Sequence, residues 1–261
     1  MLLSIDIGNS VMKFAVYVLP SLEKAAGFHI AASSIKSSDE YRLIINQFLS
    51  ECHMLDKIDA TVIASVVPSL TTPIYQAAME ISGSKPFIIG AGTHTGFQID
   101  IDYNSQLGAD IVANVAAARM VCPQPFVVVD TGTATTFTAV NRCGHIVGTI
   151  IHPGLQTCLD ALTGSAALLN EVPLTKPASL IGQNSITSMQ SGIINGHICL
   201  IDGLIEQLRK ALCNKDEVLS LIATGGHAPS LIPLSCNKMN IDPDLTVRGA
   251  AALYCVNRKH K

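Results

Sequence analysis

The 261-residue sequence has no tryptophan, 5% aromatic residues and 14% charged residues, against about 25% charged in an average globular domain. So little charge raises the question of membrane insertion. No stretch approaches the ~18 consecutive apolar residues of a spanning helix, and Asp6, Asp110 and Asp130 interrupt the longest apolar runs. The opening Met1-Leu2-Leu3-Ser4-Ile5-Asp6 lacks the basic n-region and cleavage pattern of a signal peptide. A basic stripe is missing too: 17 basic residues face 20 acidic ones for a net charge of −3, and the single basic cluster, Arg258 to Lys261, reads as a solvated tail. Neither nucleic acid nor a membrane is therefore expected as a partner. The eight cysteines are scattered without a Cys-x-x-Cys pair, the usage of reduced core thiols in a cytosolic protein. The expected location is cytoplasmic.

Several catalytic signatures are also missing. There is no Gly-x-x-x-x-Gly-Lys-[Ser/Thr] loop and no Gly-x-Gly-x-x-Gly, so P-loop and Rossmann sites are not supported. His-Glu-x-x-His, paired Cys/His spacing and a Gly-x-Ser-x-Gly elbow are likewise absent. His152 and His227, beside glycine turns, read as packed or solvated residues, and Met120 and Met189 as core fillers.

What is present is a strand–helix alternation with 48% apolar residues, enough for two packed domains or one large one. Periodicity predicts strands at Leu2–Asp6, Val11–Leu19, Asp59–Val67, Pro86–Ile89, Phe126–Asp130, Thr135–Val140, His145–Ile151 and Val218–Ala223. It predicts helices at Ser38–Cys52 with Ser38 as cap, Leu70–Ser82, Gly108–Val121, Gly154–Leu169, Thr187–Leu212 and Leu245–Tyr254. In the first of these helices Tyr41, Leu43, Ile44, Phe48 and Leu49 fall near one face. Asp242-Pro243-Asp244 reads as a turn and capping segment.

One echo organises the chain. Leu3-Ser4-Ile5-Asp6-Ile7-Gly8-Asn9-Ser10 is matched half a chain later by Val127-Val128-Val129-Asp130-Thr131-Gly132-Thr133-Ala134. Asp-x-Gly is a common turn, but the shared apolar flanks favour a duplication into two α/β halves, with a ligand in the cleft between them. Such turns offer backbone N–H groups and small hydroxyls to phosphate oxygens, and Lys13 adds a positive charge. Bare phosphate and the carboxylates of Asp6 and Asp130 repel each other, so a cation belongs between them. A third glycine-rich turn, Thr224-Gly225-Gly226-His227, suits a purine or ribose. Phosphoryl transfer to a hydroxyl also needs a residue that takes the proton. Asp110, opening an apolar helix beside Gly108, is the candidate; spacing alone leaves open that it only complements the helix dipole.

Together, Asp6-Ile7-Gly8-Asn9-Ser10, Gly108-Ala109-Asp110, Asp130-Thr131-Gly132-Thr133-Ala134-Thr135, Pro153-Gly154 and Thr224-Gly225-Gly226 resemble, in order and over nearly the whole chain, the motifs of type III pantothenate kinases. These belong to the acetate and sugar kinase, Hsp70 and actin superfamily. The resemblance implies an α/β fold of two duplicated ribonuclease-H-like (actin/Hsp70-type) domains with an interdomain cleft. Residues 1–120 would be the half with the first phosphate loop, and 121–261 the half with the second loop and the nucleotide motif. It also implies a homodimer and ATP-dependent phosphorylation of pantothenate to 4'-phosphopantothenate, the first step of coenzyme A synthesis. Carried over by position, Asp6, Ile7, Gly8, Asn9, Ser10, Val11, Met12 and Lys13 would line the ATP phosphates, with Thr133 also at the nucleotide. Asp110 would be the general base, and Asp130 would hold K⁺ or NH₄⁺. Tyr103, Gly108, Ala109, Asp110, Ile111 and Ser185 would contact pantothenate. Mg²⁺ would arrive with ATP.

The chain departs from the family pattern at one chemically severe place. The family reads Gly-x-Asp-Arg; here Ile111 follows the aspartate. Arginine would pair with the pantothenate carboxylate through charge-assisted bonds, and isoleucine has no donor. Ile111 therefore raises an alternative: a catalytically weak or inactive relative kept as a binding or regulatory, transcription-accessory protein. Smaller departures are Ser10 and Ser185 for threonine, Thr149 for a second glycine, and the short spacing from Tyr103 to Gly108.

Overall fold

Period-two alternation in strand β1 (Leu2–Ile7) sends Leu3, Ile5 and Ile7 to one face and Leu2, Ser4 and Asp6 to the other. The computed structural model, which describes residues 1–102 and 107–258, repeats this arrangement twice. It comprises two compact units, Met1–Val121 with Asp244–Lys261, and Cys122–Pro243.

In the first unit β1 pairs antiparallel with β2 (Val11–Val18), which pairs antiparallel with β3 (Glu23–Ala31). On its other side β1 runs parallel to β4 (Ala60–Ser65), and β4 parallel to β5 (Phe87–Ile88). The order is β3-β2-β1-β4-β5. Helices α1 (Ser38–Glu51) and α2 (Pro68–Ser82) cover the face bearing Leu3, Ile5 and Ile7. Helix α3 (Ala109–Ala118) covers the opposite face.

The second unit follows the same plan. Strand β6 (Phe126–Thr131) pairs antiparallel with β7 (Ala134–Val140), β7 antiparallel with β8 (Ile146–Pro153), and β6 parallel with β9 (Ser220–Thr224). Strand β10 (Asn240–Ile241) adds on in parallel, giving β10-β9-β6-β7-β8. Between β8 and β9 come α4 (Leu155–Ser165), α5 (Ser185–Gln190) and α6 (Gly196–Leu212); α7 (Ala228–Leu231) follows β9. Ile201 and Ile205 of α6 pack on Val127, Val129 and Phe137. Both units are ribonuclease-H-like, the same five-strand topology drawn twice.

The last helix, α8 (Leu245–Arg258), belongs to the first unit, where Val247, Ala250 and Ala251 pack with Ala109, Val112 and Ala113 of α3. Small residues let the two helices approach closely. A Cβ on Gly249 would overlap the Ala113 carbonyl. Gly249→Ala is accordingly expected to push α8 off α3 and destabilise the first unit by about 1–3 kcal/mol, as overpacking does. A denaturant melt checks this; an unchanged midpoint would show that the helices part without cost.

Several elements differ from the sequence expectation. The N-cap of α1 is Ser37, not Ser38: its hydroxyl accepts the Glu40 N–H while the Glu40 carboxylate accepts the Ser37 N–H. The buried face of α1 is Tyr41, Ile45 and Leu49 at i, i+4, i+8, and Leu43 points outward. Helix α3 stops at Ala118, which leaves Met120 exposed rather than in the core, whereas Met189 is buried. Helix α4 stops at Ser165, just past Gly164, instead of reaching Leu169. The long helix expected over 187–212 is α5, a π-helical segment Ser191–Asn195 and α6. No helix among the described residues is long and apolar enough to cross a membrane.

Candidate active site

In the first unit the Gly8-Asn9-Ser10 turn is a tight hairpin. The Gly8 N–H donates to the Val11 carbonyl at 3.1 Å, and a Cβ on Gly8 would meet that oxygen at 2.9 Å. The Ala32 N–H, just past β3, donates to the Ser10 carbonyl at 2.9 Å and braces the turn. Asn9, Ser10 and Val11 are exposed. Ile7 and Met12 sit opposite one another in the core, so what they can offer a ligand is main chain. Asp6 and Lys13 sit opposite one another on the other face, both half-buried. Opposite charges directly across a strand pair support each other.

That other face also carries α3. The Val66 N–H, just past β4, donates to the Ile7 carbonyl at 3.1 Å, and a Cβ on Gly108, the N-cap of α3, would stand 3.7 Å from Val66 Cγ1. The start of α3 therefore reaches the C-terminal ends of β1 and β4, on the sheet face where Asp6 and Lys13 lie. There the Asp110 carboxylate folds back over Gly108 and accepts the Ile111 N–H at 2.8 Å. This bond and the helix N-terminus favour the charged carboxylate. Burial outweighs them and raises the Asp110 pKa above the ordinary carboxylate value. A carboxylate whose pKa is raised binds a proton more readily than an ordinary one. Gly108 and Ile111 are half-buried and Ala109 is buried. Tyr103 lies outside the described residues.

In the second unit three glycine turns meet around Asp130. The Gly132 N–H closes the β6–β7 hairpin on the Ala134 carbonyl at 3.0 Å. The Gly154 N–H, between β8 and α4, donates to the Thr133 carbonyl at 3.0 Å, which also accepts the Thr157 hydroxyl at 2.8 Å. At the end of β9, Gly225 has φ +94 and passes so close to β6 that a Cβ there would lie 2.5 Å from Asp130 Oδ1 and 2.6 Å from the Thr131 backbone. The His227 N–H then donates to the Thr131 carbonyl at 3.1 Å. The Asp130 carboxylate stands in a cradle that side chains at 132 and 225 would crowd, and Thr133 is exposed at its rim. Ser185 is exposed on the first turn of α5, which Asn184 caps by accepting the Thr187 N–H.

The same unit brings together three residues that no sequence spacing suggested. His152 at the end of β8, Cys158 on α4 and His197 at the start of α6 place a ligand atom each within 4.8 Å of one another. The two imidazoles meet edge to face, with ring centroids 5.5 Å apart. His197 is buried, and burial, then the imidazoles of His152 and His227, push its pKa down to about 4. Burial also pushes the Cys158 thiol up. His152 is half-buried and packed against His197, in keeping with a packed residue, and it stands in a group of three potential ligands. Nothing in the local pattern could have found the group, because only β8, α4 and α6 folding together assembles it.

A sequence model of the type III pantothenate kinase family matches residues 2–207. Type III pantothenate kinases from Geotalea daltonii and Phenylobacterium zucineum are each 34% identical to this chain, over 99% of it and over 100% and 99% of their own lengths. Among solved structures, a chain from Campylobacter jejuni assigned to the Baf family of transcriptional activators is similar with a TM-score of 0.60 and 20% identity, over 98% of this chain and 99% of that one. The activator of 2-hydroxyisocaproyl-CoA dehydratase from Clostridium difficile, with bound ADPNP, gives 0.54 and 12%, over 99% and 95%. These structural likenesses bear on the fold; the sequence matches carry further. The chain belongs to the type III pantothenate kinase family of enzymes.

Proposed function

We propose that this protein transfers the terminal phosphoryl group of ATP to the hydroxyl of pantothenate, forming 4'-phosphopantothenate for coenzyme A synthesis. Beyond family membership, the observation that carries the reading is Asp110: a desolvated carboxylate of raised pKa at the N-terminus of α3, over the sheet face that also bears Asp6 and Lys13. Asp110 accepts the hydroxyl proton as that oxygen attacks the terminal phosphorus and the bond to the ADP oxygen breaks; the proton then passes to water. Lys13 and the N–H groups of the Gly8-Asn9-Ser10 turn bind phosphate oxygens, with magnesium accompanying the nucleotide.

The Asp130 carboxylate in its glycine-lined cradle offers hard oxygen donors, the kind that suit K⁺ or NH₄⁺. Bound there, such an ion would offset the Asp130 charge toward phosphate. The reading includes a cytoplasmic homodimer, with Tyr103, Gly108, Ala109, Ile111 and Ser185 toward pantothenate. A second reading, a weak or inactive member acting as a binding or regulatory protein, is favoured by Ile111, which offers the substrate carboxylate no donor.

The test is ADP release by the purified protein with pantothenate, Mg²⁺ and K⁺, together with mass detection of the phosphorylated product. Pantothenate-dependent ADP that falls when Na⁺ replaces K⁺ is expected. Asp130→Asn should lose the K⁺ response. No release above the ATP-only blank would favour the second reading.

A further inference from the structure

We propose that His152, Cys158 and His197 form a binding site for one divalent transition-metal ion of the zinc class, with a fourth position open. Geometry and donor chemistry point to this site, which lies beyond the kinase reading. Two imidazole nitrogens and one sulfur converge within 4.8 Å of one another from three separate elements. Zinc–nitrogen and zinc–sulfur bonds run about 2.0–2.3 Å, so small side-chain rotations bring all three onto one ion.

The surroundings orient the ligands. His152 Nδ1 lies 2.7 Å from the Pro153 carbonyl. A carbonyl only accepts, so Nδ1 carries the proton and Nε2 keeps its lone pair. His197 Nε2 lies 2.8 Å from the Thr135 hydroxyl, and when Thr135 accepts that N–H, Nδ1 is the basic nitrogen. Each imidazole thus has one nitrogen held by the protein and the other available, the arrangement found behind metal-bound histidines. The π-helical segment Ser191–Asn195 directly precedes α6 and resets the angular register that delivers His197; such wide turns recur at functional sites.

A mixed nitrogen and sulfur set selects borderline and soft ions and gives little to K⁺ or Mg²⁺, which want oxygen. The site is therefore chemically distinct from the oxygen cradle at Asp130. Three protein ligands leave a fourth tetrahedral position, and His152 and Cys158 are only partly buried, so an ion can enter from solvent. Uptake replaces the Cys158 S–H bond with a sulfur–metal bond and releases one proton to water. That proton is the one Cys158 Sγ now directs at the Pro153 carbonyl, 3.7 Å away. Pro153 precedes Gly154, whose N–H holds the Thr133 turn, so the ion would tie α4 and α6 to the base of the second glycine turn.

The test uses full-length protein stripped with a chelator and titrated with Co²⁺, then Zn²⁺. The expected result is one equivalent of Co²⁺ with a thiolate-to-cobalt band in the near ultraviolet and tetrahedral bands in the visible, all lost on adding Zn²⁺. Cys158→Ser should abolish the near-ultraviolet band, and His152→Ala should weaken binding at least tenfold. Thr135→Val, which removes only the support behind His197, should weaken it about 10–100-fold. Cys143→Ser, at an exposed cysteine, should change nothing. Circular dichroism identifies any variant that fails to fold; the partly exposed His152 and Cys158 give two separate chances to test a folded one. Absence of stoichiometric Co²⁺ uptake by the natural protein, or a thiolate band that survives in Cys158→Ser, would overturn the proposal.

Discussion

Asp110→Asn is expected to lower kcat by about 10²–10⁴, the contribution of a positioned general base, while leaving the protein as stable as before or more so at neutral pH. Activity and stability move apart because the carboxylate is desolvated. Burial raises its folded pKa above the value in the unfolded chain. Folding is then penalised as pH rises through the unfolded pKa, and fully so once pH exceeds the raised folded one. Asparagine keeps the shape, still accepts the Ile111 N–H, and removes the buried charge. The stability gain should accordingly vanish in acid, where aspartic acid is neutral in both states. A base must be deprotonated, so the acid limb of kcat/KM should lie above the ordinary carboxylate range. Melts of the two proteins at neutral and acid pH, with rates for each, check this together. A kcat within threefold of the natural protein would remove Asp110 from the chemistry. A large fall in stability at neutral pH would make it a structural residue instead.

Ile111→Arg is expected to lower the KM for pantothenate by about 30-fold or more, since a buried charge left without its partner costs roughly 2–5 kcal/mol. Residue 111 follows Asp110 in the first turn of α3 and is half-buried. A guanidinium there neighbours the base and can take a carboxylate through two N–H groups. The helix N-terminus disfavours the added positive charge by only about 0.3–1 kcal/mol, so the fold should tolerate it. The control is an amide analogue of pantothenate, which has no carboxylate charge. The gain should be confined to the acid. If acid and amide improve equally, the effect is not carboxylate recognition. If KM for the acid does not fall, this chain recognises its substrate differently from the family pattern.

The strand ends were legible because their signals are local. An apolar run, an aspartate, a glycine and a second apolar run specify a hairpin wherever they occur, and the echo between Asp6 and Asp130 exposed the repeated topology. Strand β3 was not predicted. Glu23-Lys24-Ala25-Ala26-Gly27 carries weak strand propensity, and as an edge strand with alternate residues exposed it has little apolar periodicity. Strand β10, of two residues, is too short to leave a pattern. The π-helical interruption before α6 was hidden because Ser191–Asn195 reads as continuous helix, with only Gly192 and Gly196 hinting at a break. Of the candidate site, Asp110 was singled out by its position at a helix start. Its raised pKa was not legible, since burial depends on α3 packing against the sheet. The His152, Cys158 and His197 group was invisible for the same reason: each residue is unremarkable within its own element.

Helix α8 adds a constraint of another kind, one of timing. The sheet face it covers is made early in synthesis, yet Val247, Ala250 and Ala251 lie beyond the whole of Cys122–Pro243. At about 5–20 residues per second, a ribosome takes many seconds to deliver them. Until then Leu2, Tyr17 and Val62 lack the part of their cover that α8 supplies, while the later unit is continuous in sequence and can fold as soon as it emerges. The half of the molecule that is translated first is therefore the half that is finished last.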